Sequence, residues 1–331
     1  MIVAQYEKYS AVPEEVISAK EIQEPLLAYD EVLIKVLASP INPADLLMLK
    51  GQYGSLPPLP AIGGSEGVGK VIKQGENITH PAIGQTVLLP TGMGTWASHL
   101  VSKANVLIPL PNDADAKQLS MMKVNPPTAL LLLEKFVDLK ADDWVIQNAA
   151  NSGVGSYLMQ LAKIKGGRTI NVVRRESAVE LVKSYGGDEV LVDGPDLSER
   201  VQKILGNKHL MLAIDAVGGS ASNRLASSLS EGGTLVTYGS MSGEPAQIGA
   251  DSLVFRNVTF KGFWLAKWFK ESSQEEKTAL FSKITPFIAK GAIFTEIEAE
   301  YPLEQIKLAI KAAESGKRNG KILIIPRHEI V

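Results

Sequence analysis

The chain has 331 residues, 45% of them hydrophobic and 21% charged, the balance of a globular protein with core enough for about two domains. A formal charge of −2 gives no reason to expect nucleic acid or an anionic membrane as partner, and no apolar run reaches the roughly 18 to 20 residues of a membrane span. Cysteine is absent, which excludes disulfides and thiolate zinc sites, and the four histidines (His80, His99, His209, His328) lack HExxH-type spacing, so no metal is expected.

Residues 1–118 carry short apolar runs at 32–36, 67–72, 86–89 and 105–108, punctuated by Pro and Gly, which predicts a mainly β domain with few helices. The loop from Lys50 to Gly67 is dense in Gly and Pro, the kind of segment on which a rigid scaffold tends to carry function. From about residue 116 the texture changes to alternating helix and strand. Residues 119–139 read as a helix interrupted at Pro126-Pro127, and strands follow at 144–146, 168–173, 189–192, 210–214, 234–238 and 258–264. Six strands alternating with helices predict an α/β fold with a doubly wound parallel sheet, the Rossmann arrangement. After a helical segment at 274–290 the pattern returns to strand, helix and strand at 294–297, 304–313 and 321–325. The expected division is a discontinuous, mainly β first domain, 1–118 completed by 292–331, around an α/β second domain of residues 119–291. The first residues show neither a signal-peptide core nor the Arg- and Ser-rich character of a transit peptide, so a cytoplasmic location is expected.

The stretch from Asp143 to Gln160 organises the second domain. Trp144, Val145 and Ile146 form an apolar run suited to a parallel strand covered on both faces, and Val154, Tyr157, Leu158 and Leu161 share one face of a helix. The turn between them would present backbone N–H groups to a pyrophosphate. Laid on Gly-x-Gly-x-x-Gly, its glycine positions hold Ala150, Ser152 and Gly155, so only the third is kept, and an ordinary strand-to-helix turn stays open as the alternative. About 20 residues further on, where an NAD site would place an acid, stand Arg174 and Arg175. A guanidinium there can grip the 2′-phosphate of NADP, which points to NADPH; the alternative is a pair of solvated surface charges.

Layout, element order and the return of the C-terminus resemble the medium-chain dehydrogenase/reductase superfamily over essentially the whole chain, which implies a GroES-like fold for the first domain. The segments Asn42-Pro-Ala-Asp45, Gly51-Gln-Tyr-Gly54, Gly94-Thr-Trp96, Val124-Asn-Pro-Pro-Thr128, Gln147 to Gly155, Asn171-Val-Val-Arg174 and Gly262-Phe-Trp-Leu265 are most similar to the 2-enoyl thioester reductases of mitochondrial type, acting on enoyl-CoA or enoyl-acyl-carrier protein. The positions that match the zinc ligands of the related alcohol dehydrogenases are Asn42 and Ser65, so the resemblance implies a zinc-free member.

The resemblance further implies that Tyr53 is the proton donor, and tyrosine as a residue type titrates near 10 and carries its proton at neutral pH. By matching position, Asn125 would lie near the nicotinamide. Asn151, Ser152, Gly153 and Val154 would lie at the pyrophosphate, and Arg174 and Arg175 at the 2′-phosphate. Tyr238, Gly239 and Met241 would follow the fifth strand and Phe263, Trp264 and Leu265 the sixth, with Lys321 a looser match. The implied assembly is a homodimer joined through an edge of the cofactor-domain sheet. CoA and an acyl-carrier protein present the same thioester, so either fits. Basic residues Lys261, Lys267, Lys270, Lys317 and Arg318 would meet CoA phosphates or an acidic carrier, or else form a solvated face. Two other readings stay open: an NADPH:quinone oxidoreductase, and a catalytically silent NADPH-binding protein.

Overall fold

The computed structural model describes residues 1–316 and 318–327; Lys317 and His328, both named above, lie outside them, as do the last residues of the expected first domain. Strands β1 (Ile2–Tyr6), β2 (Ile17–Glu21), β3 (Glu31–Pro40), β4 (Ala61–Ile62), β5 (Val68–Gln74), β6 (Thr86–Leu88), β7 (His99–Lys103) and β8 (Ile108–Leu110) open the chain. Then come β9 (Trp144–Gln147), β10 (Arg168–Val173), β11 (Glu189–Val192), β12 (Leu210–Asp215), β13 (Thr234–Thr237) and β14 (Thr259–Gly262), and finally β15 (Ile297–Tyr301) and β16 (Lys321–Ile324). Contacts divide the chain into two units, Met1–Val124 with the C-terminal stretch from Ser282, and Asn125–Phe281.

In the first unit β1 pairs antiparallel with β2 and β4, while a second sheet runs β15-β16-β3-β5-β6-β8, with β7 also on β3. The long strand β3 is its spine because seven of its ten residues are buried, which lets it accept partners along its whole length. Val32, Ile34, Val36, Val71, Val87 and Leu89 fill one core, and Tyr6, Ile17, Ile41, Trp96, Ile306 and Ile310 another. The C-terminal strand β16 joins β3 antiparallel, within the first unit. In the second unit the order β11-β10-β9-β12-β13-β14 is all parallel, with Ile146, Ile170, Val201, Ala213 and Leu235 in its core. This is the doubly wound order in which the strands spread outward from a central pair.

Three elements differ from expectation. Pro126 and Pro127 do not interrupt a helix but lie in the first turn of Asn125–Glu134, where the missing N–H costs nothing; the break falls before them, after the short helix Ala116–Ser120. Residues 104–106 form a 3-10 turn and the strand follows as β8, since a short apolar run carries no period of its own. The strand expected at 294–297 is β15, whose partly buried residues alternate with exposed Glu298 and Glu300 as befits a sheet edge. Among the described residues no helix is long and apolar enough to cross a membrane.

The first unit also buries four ionisable side chains together: Asp45, Glu66, Lys123 and Lys321. Burial pushes Asp45 up to about 7, with the neighbouring Glu66 adding to the rise and Lys321 opposing it, and burial pulls Lys123 and Lys321 down to about 8. Between the ordinary carboxyl value of 3.8 and about 7, the folded chain holds an Asp45 proton that the unfolded chain has released. This group's contribution to stability therefore falls as pH rises through that window. Asp45→Asn lacks the titration, so thermal melts from pH 4 to 7.5 should show the parent losing stability relative to the variant as pH rises; a constant gap would contradict the shift.

Candidate active site

Ligands of doubly wound sheets bind beyond the carboxyl ends of the strands, where the order reverses, and here that point lies between β9 and β12. Asp215 closes β12 and is fully buried. Its Oδ1 accepts the Asn148 side-chain amide at 2.6 Å and the backbone N–H of Val217 and Gly218 at 3.0 and 3.1 Å, and its Oδ2 accepts the Ser222 hydroxyl at 2.7 Å. Asn148 Oδ1 accepts the Ala216 N–H at 2.8 Å in return. The loop after β9 is thereby tied to the loop after β12 by a reciprocal pair. Neither residue was singled out by sequence; the available signal was a polar residue closing each of two apolar strands.

Beyond Asn148 the chain turns sharply, with Ala149 in the left-handed region at φ 46°. Ser152 caps the helix Gly153–Ile164, its Oγ accepting the Gly155 N–H at 3.2 Å. Gly155 is glycine for a steric reason: a Cβ there would stand 2.6 Å from the Ala150 carbonyl oxygen. The helix start thus packs directly on the turn, leaving the N-terminal N–H groups at the strand end, a place suited to a phosphate anion. Tyr238, just past β13, shares a hydrogen bond with Ser152, and burial raises its phenol above the ordinary value.

Most of the expected cofactor residues come together along this edge. Asn151, Ser152, Gly153 and Val154 follow β9, Arg174 and Arg175 follow β10, Tyr238, Gly239 and Met241 follow β13, and Phe263, Trp264 and Leu265 follow β14. Arg174, Met241 and Trp264 are exposed, whereas the Val154 side chain is core and can offer only its backbone. Phe263 meets Phe136 edge to face at 6.1 Å between ring centroids. Asn125 is buried at the start of its own helix, away from the strand ends in sequence, and Tyr53 and Lys321 belong to the first unit.

Tyr53 lies in the loop after the helix Pro43–Leu49. The last turn holds that loop through Lys50 N–H to Leu46 O at 3.0 Å, Gly51 N–H to Met48 O at 3.0 Å and Gln52 N–H to Leu47 O at 2.8 Å. Gly51 has φ 70° and no room for a side chain, since a Cβ would stand 2.9 Å from the Tyr9 ring. The Tyr9 hydroxyl donates to the Pro57 carbonyl at 3.2 Å, bracketing the loop from its other side. Tyr53 is partly exposed at its centre.

At the other end of the same helix stands Asn42, one of the two positions that match zinc ligands in the related dehydrogenases. Its amide nitrogen donates to Glu66 Oε1 at 2.7 Å and its amide oxygen accepts the Lys321 ammonium. A fixed cation already occupies the oxygen that a metal would need, and Ser65 offers only a neutral hydroxyl, so these residues do not fit zinc. Lys321, expected as a looser cofactor contact, is buried in this cluster.

Two family profiles match the chain: the alcohol dehydrogenase GroES-like domain over residues 28–112 and the zinc-binding dehydrogenase over residues 153–283. The mitochondrial enoyl-[acyl-carrier-protein] reductase of Xenopus tropicalis is 35% identical over 97% of this chain and 94% of its own. That of Caenorhabditis elegans is 39% identical over 86% of this chain and 84% of its own, and the human one 35% over 91% and 82%. Among solved structures, a complex of Etr1p with NADP and crotonyl-CoA superposes with a TM-score of 0.89 at 27% identity, covering 98% of this chain and 99% of that one. The Etr1p/Etr2p heterodimer of mitochondrial 2-enoyl thioester reductase from Candida tropicalis gives 0.87 at 28% over the same shares. A chain from Bacillus thuringiensis assigned to the NADPH:quinone reductases gives 0.89 at 29%, again over 98% and 99%. The cytoplasmic location expected from the first residues does not stand, because the enoyl reductase relatives are named as mitochondrial. An address is read by a receptor, and neither composition nor fold of an oxidoreductase encodes it. The chain belongs to the medium-chain dehydrogenase/reductase family, among the enoyl-[acyl-carrier-protein] reductases of mitochondrial type, and is an oxidoreductase.

Proposed function

We propose that the chain reduces trans-2-enoyl thioesters with NADPH, adding hydride at the β-carbon and a proton at the α-carbon. The observation that carries this reading is likeness to enoyl-[acyl-carrier-protein] reductases over nearly the whole chain, together with Tyr53 in a loop braced from both sides. NADPH, when bound, supplies the hydride. The chain's own residues do the rest. The turn Asn151 to Val154 receives the pyrophosphate on backbone N–H groups at the helix start, and the Asn148–Asp215 pair holds that turn at its spacing from the loop after β12. Arg174 and Arg175, at the end of β10, receive the 2′-phosphate. Asn125 lies toward the nicotinamide, with Tyr238, Gly239, Met241, Phe263, Trp264 and Leu265 shaping the rest of the site from the ends of β13 and β14. Tyr53 gives its phenolic proton to the α-carbon as negative charge develops on the thioester oxygen, and draws another from solvent afterwards. The substrate carrier is CoA or an acyl-carrier protein, both of which present the same reacting end.

The reading includes a homodimer. Among the described residues β14 pairs only with β13, and all four of its residues are exposed, so the parallel sheet ends in an open row of backbone donors and acceptors. Phe260 on that strand, and Val254 and Phe255 in the preceding π-turn Asp251–Phe255, add exposed apolar surface. A second copy pairing edge to edge would cover both. The second reading, quinone reduction, has the Bacillus thuringiensis neighbour in its favour.

The deciding experiment follows NADPH oxidation with trans-2-enoyl-CoA esters of several lengths and with a quinone in parallel. Enoyl reduction is expected; quinone reduction alone would leave the fold and discard the thioester chemistry. Tyr53→Phe should lower kcat for enoyl esters by about 10² to 10⁴, the usual worth of a general acid, and an unchanged rate would remove Tyr53 from the mechanism. Arg174→Ala should weaken NADPH by roughly 10- to 100-fold while leaving NADH nearly unaffected, the loss of one charge-assisted contact to a phosphate; equal losses would sink the 2′-phosphate assignment. Light scattering should give twice the chain mass, falling to the monomer in Phe260→Glu, whereas a monomeric parent would refute the dimer.

A further inference from the structure

Glu66 has no exposed surface, and it is not among the residues assigned to substrate or cofactor above. A carboxylate so placed must replace its water with donors, and it does so on both oxygens. Oε1 accepts the Asn42 side-chain amide at 2.7 Å. Oε2 accepts two backbone N–H groups, Lys123 at 3.0 Å and Val124 at 2.8 Å. The backbone carbonyl of the same residue accepts the hydroxyls of Ser39 at 2.6 Å and Thr95 at 2.8 Å, so Glu66 is itself held on β3 and on the segment before Trp96.

What hangs on the two oxygens differs. Asn42 is the N-cap of the helix Pro43–Leu49, and its backbone N–H is fixed by the Asp45 carboxylate at 2.7 Å. Lys321 orients the Asn42 amide by taking its oxygen, so the nitrogen must face Glu66. The helix therefore starts at a point set by Glu66, and seven residues later its last turn carries the loop of Tyr53. Lys123 and Val124 are the last residues before Asn125 opens the next helix. Three N–H donors converge on one side chain that offers only acceptors. A glutamine there would turn its own N–H₂ toward one donor or another whichever way it is flipped, so Glu66→Gln is isosteric and yet cannot keep all three bonds.

We propose that Glu66 is a positioning residue for the proton transfer, fixing through one carboxylate oxygen the helix that delivers Tyr53. This rests on Tyr53 as the proton donor. A helix displaced by a fraction of an ångström at its start carries the displacement to its end, and a 1 Å misplacement of a reacting group costs about 10²-fold.

The test is a double-mutant cycle of Glu66→Gln with Tyr53→Phe on enoyl-CoA reduction, read with NADPH affinity by fluorescence titration. Glu66→Gln alone should lower kcat by about 10- to 100-fold, leave NADPH affinity within about twofold, and raise the solvent deuterium isotope effect as protonation becomes slower. In the Tyr53→Phe background the same substitution should cost little, because the group it positions is gone. Losses that multiply, or a Glu66→Gln enzyme as fast as the parent, would overturn the proposal while leaving Tyr53 as donor. A Tyr53→Phe enzyme at full rate would overturn the donor assignment, and the proposal with it. If Glu66→Gln does not fold, Asn42→Leu cuts the same link while leaving the bonds to residues 123 and 124, and the same cycle decides.

Discussion

A charge taken out of water must be given back the donors and counter-charges it lost, and the layout of both units turns on how two buried carboxylates meet that demand. Glu66 in the first unit and Asp215 in the second each have no exposed surface. Each collects donors from more than one segment of the chain. Asp215 gathers Asn148, two backbone N–H groups and a serine hydroxyl; Glu66 gathers Asn42 and the backbone at residues 123 and 124. Loops that would otherwise be set only by chain length are fixed by hydrogen bonds of ordinary length, and these are the loops that carry the proposed chemistry.

The two units solve the same problem with different electrostatics. Asp215 is satisfied by neutral dipoles. Glu66 sits among Lys123, Lys321 and Asp45, two cations against two carboxyl groups. Burial works against the charged form of all four, which raises the two acids and lowers the two bases. Mutual attraction counters part of that cost, and the lysine ammonium groups find further acceptors: Lys123 on the carbonyls of Ser65 and Leu89 at 2.8 and 3.1 Å, Lys321 on Asn42. Where related dehydrogenases hold a metal cation between protein ligands, this chain holds a lysine. The positive charge is kept.

Tyr53 itself is placed by simpler means. A short helix, a glycine in the left-handed region and a tyrosine ring laid on that glycine give the loop its course. They act on the backbone of the loop, which is how a loop residue comes to hold a defined position without being fully buried.

Sequence alone determined a good deal here. The order of strands and helices and the parallel sheet follow from local periodicity, because such features are properties of contiguous residues, and the family was legible as a resemblance in short motifs. The arginines after β10 and the turn after β9 were legible for the same reason. What only the tertiary structure decided is which polar residues meet. Asn42 finds Glu66 at a separation of 24 positions, Asn148 finds Asp215 at 67, and Asn42 finds Lys321 at 279. No window along the chain contains such a pair. Burial is what turns them from ordinary side chains into the fixed points of the fold, and burial is settled only when the distant segments have packed.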